Sequence, residues 1–140
     1  WLYDRFFGQL RSLGLEDQVV LTGYVPEEDI PALLNAAEVF AFPSEFEGFG
    51  LPPLEAMACG IPVVCSNAAS LPEVVGDAGL LLPPRDVRGW VTALDRLLDD
   101  GQLHTDLRAR GLARARLFSW DTAARRTLEV YRSVMTEMRS

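Results

Sequence analysis

The sequence predicts an α/β domain in which helices cover both faces of a parallel sheet. Of its 140 residues, 49% are apolar and 24% are charged, so the chain can bury a core without a disulfide or metal staple. Several short apolar runs contain no polar residue, as in strands that are buried on both faces. Between these runs, apolar residues recur every three or four positions, as in helices. This alternation is typical of βαβ units.

Four apolar runs are predicted to be strands. They cover residues 19–21, 39–42, 62–65 and 80–82. Gly23 and Pro43 follow the first two runs and favour turns there. Helices are predicted before and between the strands, over residues 2–13, about 29–37, 52–59 and 71–75. Gly60 and Gly76 follow the last two of these helices and are typical C-terminal stops.

Three more helices are predicted in the remainder of the chain. Asp86 is the expected N-cap of the first, and Ser119 that of the last. The second is weakly marked by Leu103, Leu107 and Phe118, because Gly111 interrupts the pattern. The last helix carries an apolar stripe, which consists of Trp120, Ala124, Leu128, Tyr131, Met135 and Met138. Trp90 and Trp120 lie on such stripes and are predicted to be core residues.

The absence of lysine excludes several chemistries. All 13 cationic side chains are arginines, so there is no Walker-A phosphate loop and no lysine for a Schiff base. One histidine and two cysteines are too few for a structural zinc site. A serine triad would need His104, which lies on a polar helix face, is predicted to be exposed, and has no G-x-S-x-G motif beside it. The net charge of −7 argues against binding to nucleic acid.

Cysteine usage and hydropathy point to the cytoplasm. Cys59 and Cys65 do not form a C-x-x-C pair and are predicted to be reduced packing residues. The sequence contains no signal peptide and no apolar run near 18 residues, so no transmembrane segment is predicted. Because the chain begins at Trp1 and not at Met, we expect a fragment or a processed product.

The charge is unevenly distributed along the chain. The net charge is −12 over residues 1–107 and +5 over residues 108–140. We expect the basic part to be a solvated helical face. The alternative is a surface that docks onto another domain or onto an acidic membrane, which would place the full-length protein at the inner face of the membrane.

The segment over residues 42–55, F-P-S-E-F-E-G-F-G-L-P-P-L-E, carries the candidate chemistry. It runs from the end of a predicted strand, through a loop with Gly48 and Gly50, into a helix. In open α/β sheets, ligands bind beyond the carboxyl ends of the strands. A helix N-terminus offers N–H groups to an anion, and glycine lets the backbone approach a ligand closely. The segment is therefore a candidate phosphate site.

Two carboxylates flank the glycine loop. Glu47 precedes the helix and Glu55 is predicted in its first turn, so both can face one crevice. A carboxylate accepts hydrogen bonds from a vicinal diol, as in ribose or a hexose. Taken singly, Glu47 is better explained as a solvated loop acid and Glu55 as an acid favoured by the helix dipole. Ser44 is predicted to cap the loop rather than contact a ligand.

The run E-G-F-G-L-P-P-L-E-A-M-A-C-G-I-P-V-V resembles the E-x7-E signature of retaining GT-B glycosyltransferases of group 1, or family 4. These enzymes use a nucleotide-diphosphate sugar as donor. The preceding run V-V-L-T-G-Y-V-P-E-E-D-I and the following run C-S-N-A-A-S-L-P-E-V-V-G-D-A-G are similar to the same family, including bacterial mannosyltransferase-like enzymes. F-S-W, before the last helix, is typical of it. The resemblance covers essentially the whole chain.

The resemblance implies a fold and a set of site residues. Residues 1–118 would be part of the Rossmann-like donor-binding domain, the C-terminal half of the GT-B fold, and residues 119–140 a helix that packs back toward the N-terminal domain. Glu47 would be the catalytic residue that touches the transferred sugar, and Glu55 would hold the ribose hydroxyls. The other donor-binding residues would be Gly48, Phe49, Gly50 and Leu51 through their amides, and Tyr24 and Val25 near the base. No metal or other cofactor is implied.

The sequence departs from the family in two respects. It lacks the domain's first strand–helix–strand segment, which carries an arginine and a lysine that clamp the diphosphate, and it lacks the acceptor-binding N-terminal domain. The absent strands would lie between residues 19–21 and 39–42. We therefore expect a longer native protein and an inactive fragment, supported by a neighbour or by strand exchange in a dimer.

Three alternative functions compete with this interpretation. A non-catalytic nucleotide-sugar-binding or regulatory module would keep the fold, and loss of Glu47 or Glu55 would have favoured it. A reductase-type domain requires G-x-G-x-x-G and an acid about 20 residues later, which are absent. A purely structural domain would leave the paired glutamates without a purpose. The sugar, the acceptor and the base (UDP, GDP or ADP) stay open.

Overall fold

The N-terminal unit begins with a helix. The structure, a computed structural model, describes residues 2–137, and these separate into two units, one up to Ile30 and one from Pro31 onward. Helix α1 spans Leu2–Leu13, as predicted, and ends at Gly14, whose φ of +65° suits a glycine stop. Short 3-10 helices follow at Glu16–Gln18 and Glu27–Asp29.

The strand predicted over residues 19–21 is not formed. Val19 has the extended backbone of a strand, with φ −114° and ψ 121°, but Val20 is 84% exposed. A strand needs a neighbour that pairs with its N–H and C=O groups, and within residues 2–137 no segment pairs with this one. An extended backbone is present at Val19, but the strand assignment over residues 19–21 was wrong.

The second unit contains a parallel sheet of three strands in the order β1-β2-β3. Strand β1 spans Phe40–Phe42, β2 spans Val63–Ser66 and β3 spans Gly79–Leu82. Val63 pairs with Phe40 on one side and with Gly79 on the other. These strands confirm the other three predictions to within one residue at each end.

Six further α-helices are present between Ile30 and Glu137. They are α2 (Ile30–Asn35), α3 (Leu51–Ala58), α4 (Leu71–Val75), α5 (Val87–Asp99), α6 (Gly101–Ala115) and α7 (Trp120–Glu137). The central strand β2 is buried, and its residues alternate between two clusters. Val63 and Cys65 pack with Met57 of α3, whereas Val64 packs with Leu97 of α5. The predicted α/β sheet with helices on both faces is thus confirmed.

Side-chain caps begin the later helices as the sequence predicts. Asp86 Oδ1 accepts a hydrogen bond from the Gly89 N–H at 3.0 Å, and Ser119 Oγ accepts one from the Thr122 N–H at 3.1 Å. Such caps satisfy N–H groups that have no partner within the helix.

Helix α6 is present, as predicted, and runs without a break through Gly111, the residue that interrupts its sequence pattern. Gly111 is buried, and a Cβ at this position would lie 3.3 Å from Met57 Cγ. The glycine therefore marks the close approach of α6 to α3 rather than a helix end. Phe118 lies outside α6, in the connection to α7.

The two tryptophans differ in environment, so one prediction was wrong. Trp90 is 9% exposed, and its Nε1–H donates to the Pro83 carbonyl at 3.0 Å. Trp120 is 84% exposed. Leu128 and Tyr131, on the same stripe of α7, are also exposed, but to a lesser degree. Periodicity predicts an apolar face, but not what covers it. Met138, the last residue of the stripe, lies outside the described residues.

His104 is half-buried rather than exposed. Its Nε2 lies 3.0 Å from the Glu38 carbonyl oxygen, which fixes the ring between α6 and the segment before β1. The cysteines are free, as expected. Burial in β2 raises the pKa of the Cys65 thiol to about 12, which fits a packing residue rather than a reactive one.

Candidate functional site

The loop over residues 43–50 lies at the carboxyl edge of the sheet, between β1 and α3. Because β1 and β2 are parallel, the segment after β2 lies at the same edge. Ser66 Oγ donates to the Ser44 carbonyl, and Ser70 Oγ donates to the Glu47 carbonyl at 3.0 Å. The end of β2 and the connection from it to α4 therefore hold the loop at two of its carbonyls. Ser44 itself caps the loop locally, since its hydroxyl donates to the Phe46 carbonyl at 3.2 Å.

A bidentate ion pair joins the same loop to the connection after β3. Arg85 Nε lies 2.8 Å from Glu45 Oε1, and Arg85 Nη2 lies 3.2 Å from Oε2. Both side chains are exposed, and the guanidinium lowers the pKa of the Glu45 carboxyl. This pair was not predicted from the sequence. It could have been suspected because Arg85, like Glu45, follows closely after a strand and so lies at the carboxyl edge of the sheet.

Gly50 determines where the helix starts. Its φ is +107°, and a Cβ at this position would lie 2.9 Å from Leu71 Cδ2. An L side chain is therefore excluded both by the backbone conformation and by the packing against α4. Helix α3 consequently begins at Leu51, one residue earlier than predicted.

The backbone N–H groups of Gly48, Phe49, Gly50 and Leu51 lie in the loop and at the start of α3, where Gly50 is buried and the other three residues are exposed. Among the hydrogen bonds of residues 2–137, none uses these groups as donors. Pro52 and Pro53, which follow, have no N–H. The donors at this helix start are therefore confined to the loop and Leu51; that these amides bind a ligand stays a prediction. The space around Gly48 is open, since no atom lies within 4 Å of a Cβ built there.

The two predicted glutamates lie on either side of these amides in the chain. Glu47 is half-buried in the loop, and Glu55 is exposed on α3. Because α3 begins at Leu51, Glu55 is in its second turn and not in its first, which corrects the sequence prediction. Attraction of an acid by the helix dipole falls off within the first turn, so this simpler explanation of Glu55 loses its basis.

Tyr24 and Val25, the residues predicted to lie near the base, belong to the first unit. Tyr24 is 90% exposed and Val25 is half-buried. Their part in the site stays a prediction.

Residues 2–137 contain neither a candidate metal-binding cluster nor a helix that could cross a membrane. This part of the chain contains no group of three or more His, Cys, Asp or Glu side chains that could hold a metal ion. It also contains no helix that combines the length and the apolar character needed to cross a membrane.

The fold and the loop have counterparts in known proteins. Residues 3–114 match the family described as glycosyl transferases group 1, and the chain therefore belongs to this family. It is 53% identical, over 110 residues, to the O-antigen chain mannosyltransferase B of Escherichia coli. That match covers 79% of the chain but 29% of the relative, so the chain spans less than a third of the relative's length.

Solved structures place the fold in the GT-B class. Anabaena HepE in complex with UDP matches 94% of this chain and 36% of its own, with 29% identity and a TM-score of 0.86. The C-terminal domain of a group 1 glycosyltransferase (LpcC) from Francisella tularensis matches 83% of this chain and 61% of its own, with 28% identity and a TM-score of 0.74. The three-stranded sheet with its helices thus matches the C-terminal domains of GT-B glycosyltransferases.

Proposed function

We propose that this chain is the donor-binding part of a retaining glycosyltransferase, which moves a sugar from a nucleotide-diphosphate sugar to an acceptor glycan or lipid. The observation that carries the proposal is the set of unused N–H groups from Gly48 to Leu51, at the carboxyl edge of the sheet and between two glutamates. Membership of the family and the match to a UDP complex support it.

Each part of the loop has a role suited to its chemistry. The amides from Gly48 to Leu51 bind the diphosphate and sugar hydroxyls, since they are aligned before the ligand arrives. Glu47 contacts the transferred sugar and acts in catalysis. Glu55 accepts hydrogen bonds from the ribose diol. The leaving diphosphate is stabilised by fixed dipoles and cations, without a metal.

We propose that the transferred sugar is mannose. A mannosyltransferase at 53% identity favours mannose as the transferred group. We propose bacterial lipid-linked or polysaccharide glycans as acceptors, and the cytoplasm or the inner face of the membrane as the location.

The chain by itself is proposed to be inactive. The acceptor-binding domain and the arginine–lysine clamp of the family have no counterpart in this sequence. The segment over residues 19–21 is unpaired in the described residues, which fits a sheet whose first strands are supplied from elsewhere. A neighbouring segment would supply them, or strand exchange in a dimer would give residues 19–21 a partner.

A calorimetric titration of the chain with UDP, GDP and ADP tests the proposal. Far-UV circular dichroism on the same samples shows whether they are folded. We expect one of the three nucleotides to bind, even at millimolar concentration, and Glu55→Ala to abolish this binding. Glu129→Ala is the matched control, because Glu129 is exposed on α7, far along the chain from the loop.

Two outcomes would contradict the proposal. One is a folded wild-type chain that binds none of the three nucleotides. The other is a Glu55→Ala variant that binds as tightly as Glu129→Ala.

A further inference from the structure

The ring of Phe49 contacts a residue from outside the loop over residues 43–50. The centroids of the Phe49 and Phe118 rings are 6.0 Å apart, and their planes make an angle of 80°. This is the edge-to-face arrangement that aromatic pairs prefer. Phe118 lies in the connection between α6 and α7, so this connection contacts the loop between its two glycines.

Arg114 also contacts the ring of Phe118. Its guanidinium carbon lies 5.3 Å from the centre of the Phe118 ring, within the range of a cation–π contact. Its Nε donates to the Val74 carbonyl at 3.0 Å, and its Nη2 donates to the Glu73 carbonyl. These carbonyls belong to the last turn of α4, where an arginine satisfies groups that have no partner within the helix. Arg114 is thus fixed by α4, and Phe118 is fixed by Arg114.

The part of the loop after Glu47 needs such support, because the hydrogen bonds from Ser66 and Ser70 hold only the carbonyls of Ser44 and Glu47. Gly48 has open space around it, and glycine has more backbone freedom than any other residue. Phe49 carries the one side chain between Gly48 and Gly50. A ring fixed at this position restricts the peptide groups on either side, which contain the amide donors. Donors that are already aligned bind a ligand more tightly than donors that must be ordered.

We infer that Phe118 is a positioning residue for the donor site, which fixes Phe49 and thereby aligns the amides of Gly48, Gly50 and Leu51. The inference rests on the proposed function, because it assigns to these amides the binding of a nucleotide diphosphate. Phe118 itself does not contact the ligand.

Calorimetry with UDP, GDP and ADP tests the effect on binding. Phe118→Leu keeps an apolar side chain but removes the ring edge, and we expect the Kd of the bound nucleotide to rise about threefold to tenfold. Phe118→Tyr keeps the ring and should bind within twofold of the wild type. Phe46→Leu is the control, since Phe46 is in the same loop but is 83% exposed and, among the described residues, in no ring contact.

A second pair of variants separates positioning from general loss of structure. Phe49→Leu removes the half-exposed partner and should weaken binding as much as Phe118→Leu does. The double variant should then be no weaker than either single variant, because both changes break the same contact. Additive losses would overturn the inference, and so would unchanged affinity in a folded Phe118→Leu chain.

Amide resonances of the ligand-free chain give a readout that needs no nucleotide. In 15N-labelled Phe118→Leu, or in Phe49→Leu if that chain alone is folded, we expect the Gly48 and Gly50 signals to shift or broaden. The signals of Gly89 and Gly101, in α5 and α6, should stay in place. Unchanged Gly48 and Gly50 signals would refute the positioning role. If the wild type binds no nucleotide but these signals respond, the proposed function fails and the loop contact stands.

Discussion

Gly50 illustrates how a single residue determines the geometry of the candidate site. Its positive φ turns the chain from the loop into α3, and its missing Cβ leaves room for Leu71 of α4. The sequence pattern already singled out this glycine as a position where the backbone approaches a ligand. The structure adds a second reason, which is the close contact with a neighbouring helix.

Gly50→Ala should destabilise the fold. An alanine there combines a left-handed backbone, which costs on the order of 1–3 kcal/mol, with a clash against Leu71 that costs roughly as much again. We expect the free energy of unfolding, measured in urea, to fall by about 2–6 kcal/mol.

Gly101→Ala is the control for this measurement. Gly101 starts α6, and no atom lies within 4 Å of a Cβ built there. Its replacement should leave the free energy of unfolding unchanged or raise it slightly, because alanine favours helices. A Gly50→Ala variant as stable as Gly101→Ala would contradict the assigned role of Gly50.

At the scale of elements, features that depend on neighbouring residues were predicted better than features that depend on long-range contacts. The caps at Asp86 and Ser119 and three of the strands follow from neighbouring residues, and all are present. The continuity of α6 through Gly111 depends on packing against Met57, which no local pattern reports. The exposure of Trp120 likewise depends on what covers α7, and the run over residues 19–21 lacks a partner strand.

The same distinction applies to the candidate site. The glycine loop, the two glutamates and the amides from Gly48 to Leu51 were predicted as a site from one continuous segment, and their role stays a prediction. The residues that hold this segment come from elsewhere in the chain, since Ser70, Arg85 and Phe118 follow it by 15 positions or more. Their contacts arise only once the parallel sheet brings the ends of its strands together.

The ion pair between Arg85 and Glu45 connects two of these elements and gives a pH-dependent prediction. The pKa of Glu45 is lowered from its usual 4.5 in the folded chain, mainly by hydrogen bonds from Arg85. Because the pKa of Glu45 is lower in the folded chain, its ionised carboxyl stabilises the fold at pH values above the unfolded pKa of about 4.5. This contribution is lost as the pH falls through the folded pKa. In Arg85→Gln, the pKa of Glu45 should therefore return toward its usual value.

Carboxyl NMR of Glu45 between pH 2 and pH 6 measures this change. Arg88→Gln is the control, because Arg88 is also exposed but lies on α5 and is not paired with Glu45. The shift in the wild type should diminish at high salt, since an exposed pair is screened. An identical pKa of Glu45 in both variants would show that the pair is not formed in solution.

At the scale of the whole molecule, the chain contains one part of a larger architecture. Its relatives are longer, and it covers 29% of the Escherichia coli mannosyltransferase and 36% of Anabaena HepE. The described sheet has three strands, and the amides of the loop have no clamp of arginine and lysine beside them in the sequence. The fold can therefore be recognised in this chain, and we propose that full affinity for the donor requires residues that the family supplies from further upstream.

The cost of that missing clamp can be predicted. A hydrogen bond to a charged group contributes about 1.5–3 kcal/mol, so two cationic partners of the diphosphate contribute roughly 3–6 kcal/mol. We expect a chain extended upstream by the family's strand–helix–strand segment to bind its nucleoside diphosphate about two to four decades more tightly than the 140-residue chain.

The nucleoside without phosphates is the matched ligand for this comparison. Its affinity should change little between the two chains, because the clamp acts on the diphosphate. The gain for the diphosphate should also shrink as salt is added. A gain below about tenfold, or an equal gain for the nucleoside, would mean that the loop amides, and not an upstream clamp, supply most of the binding energy.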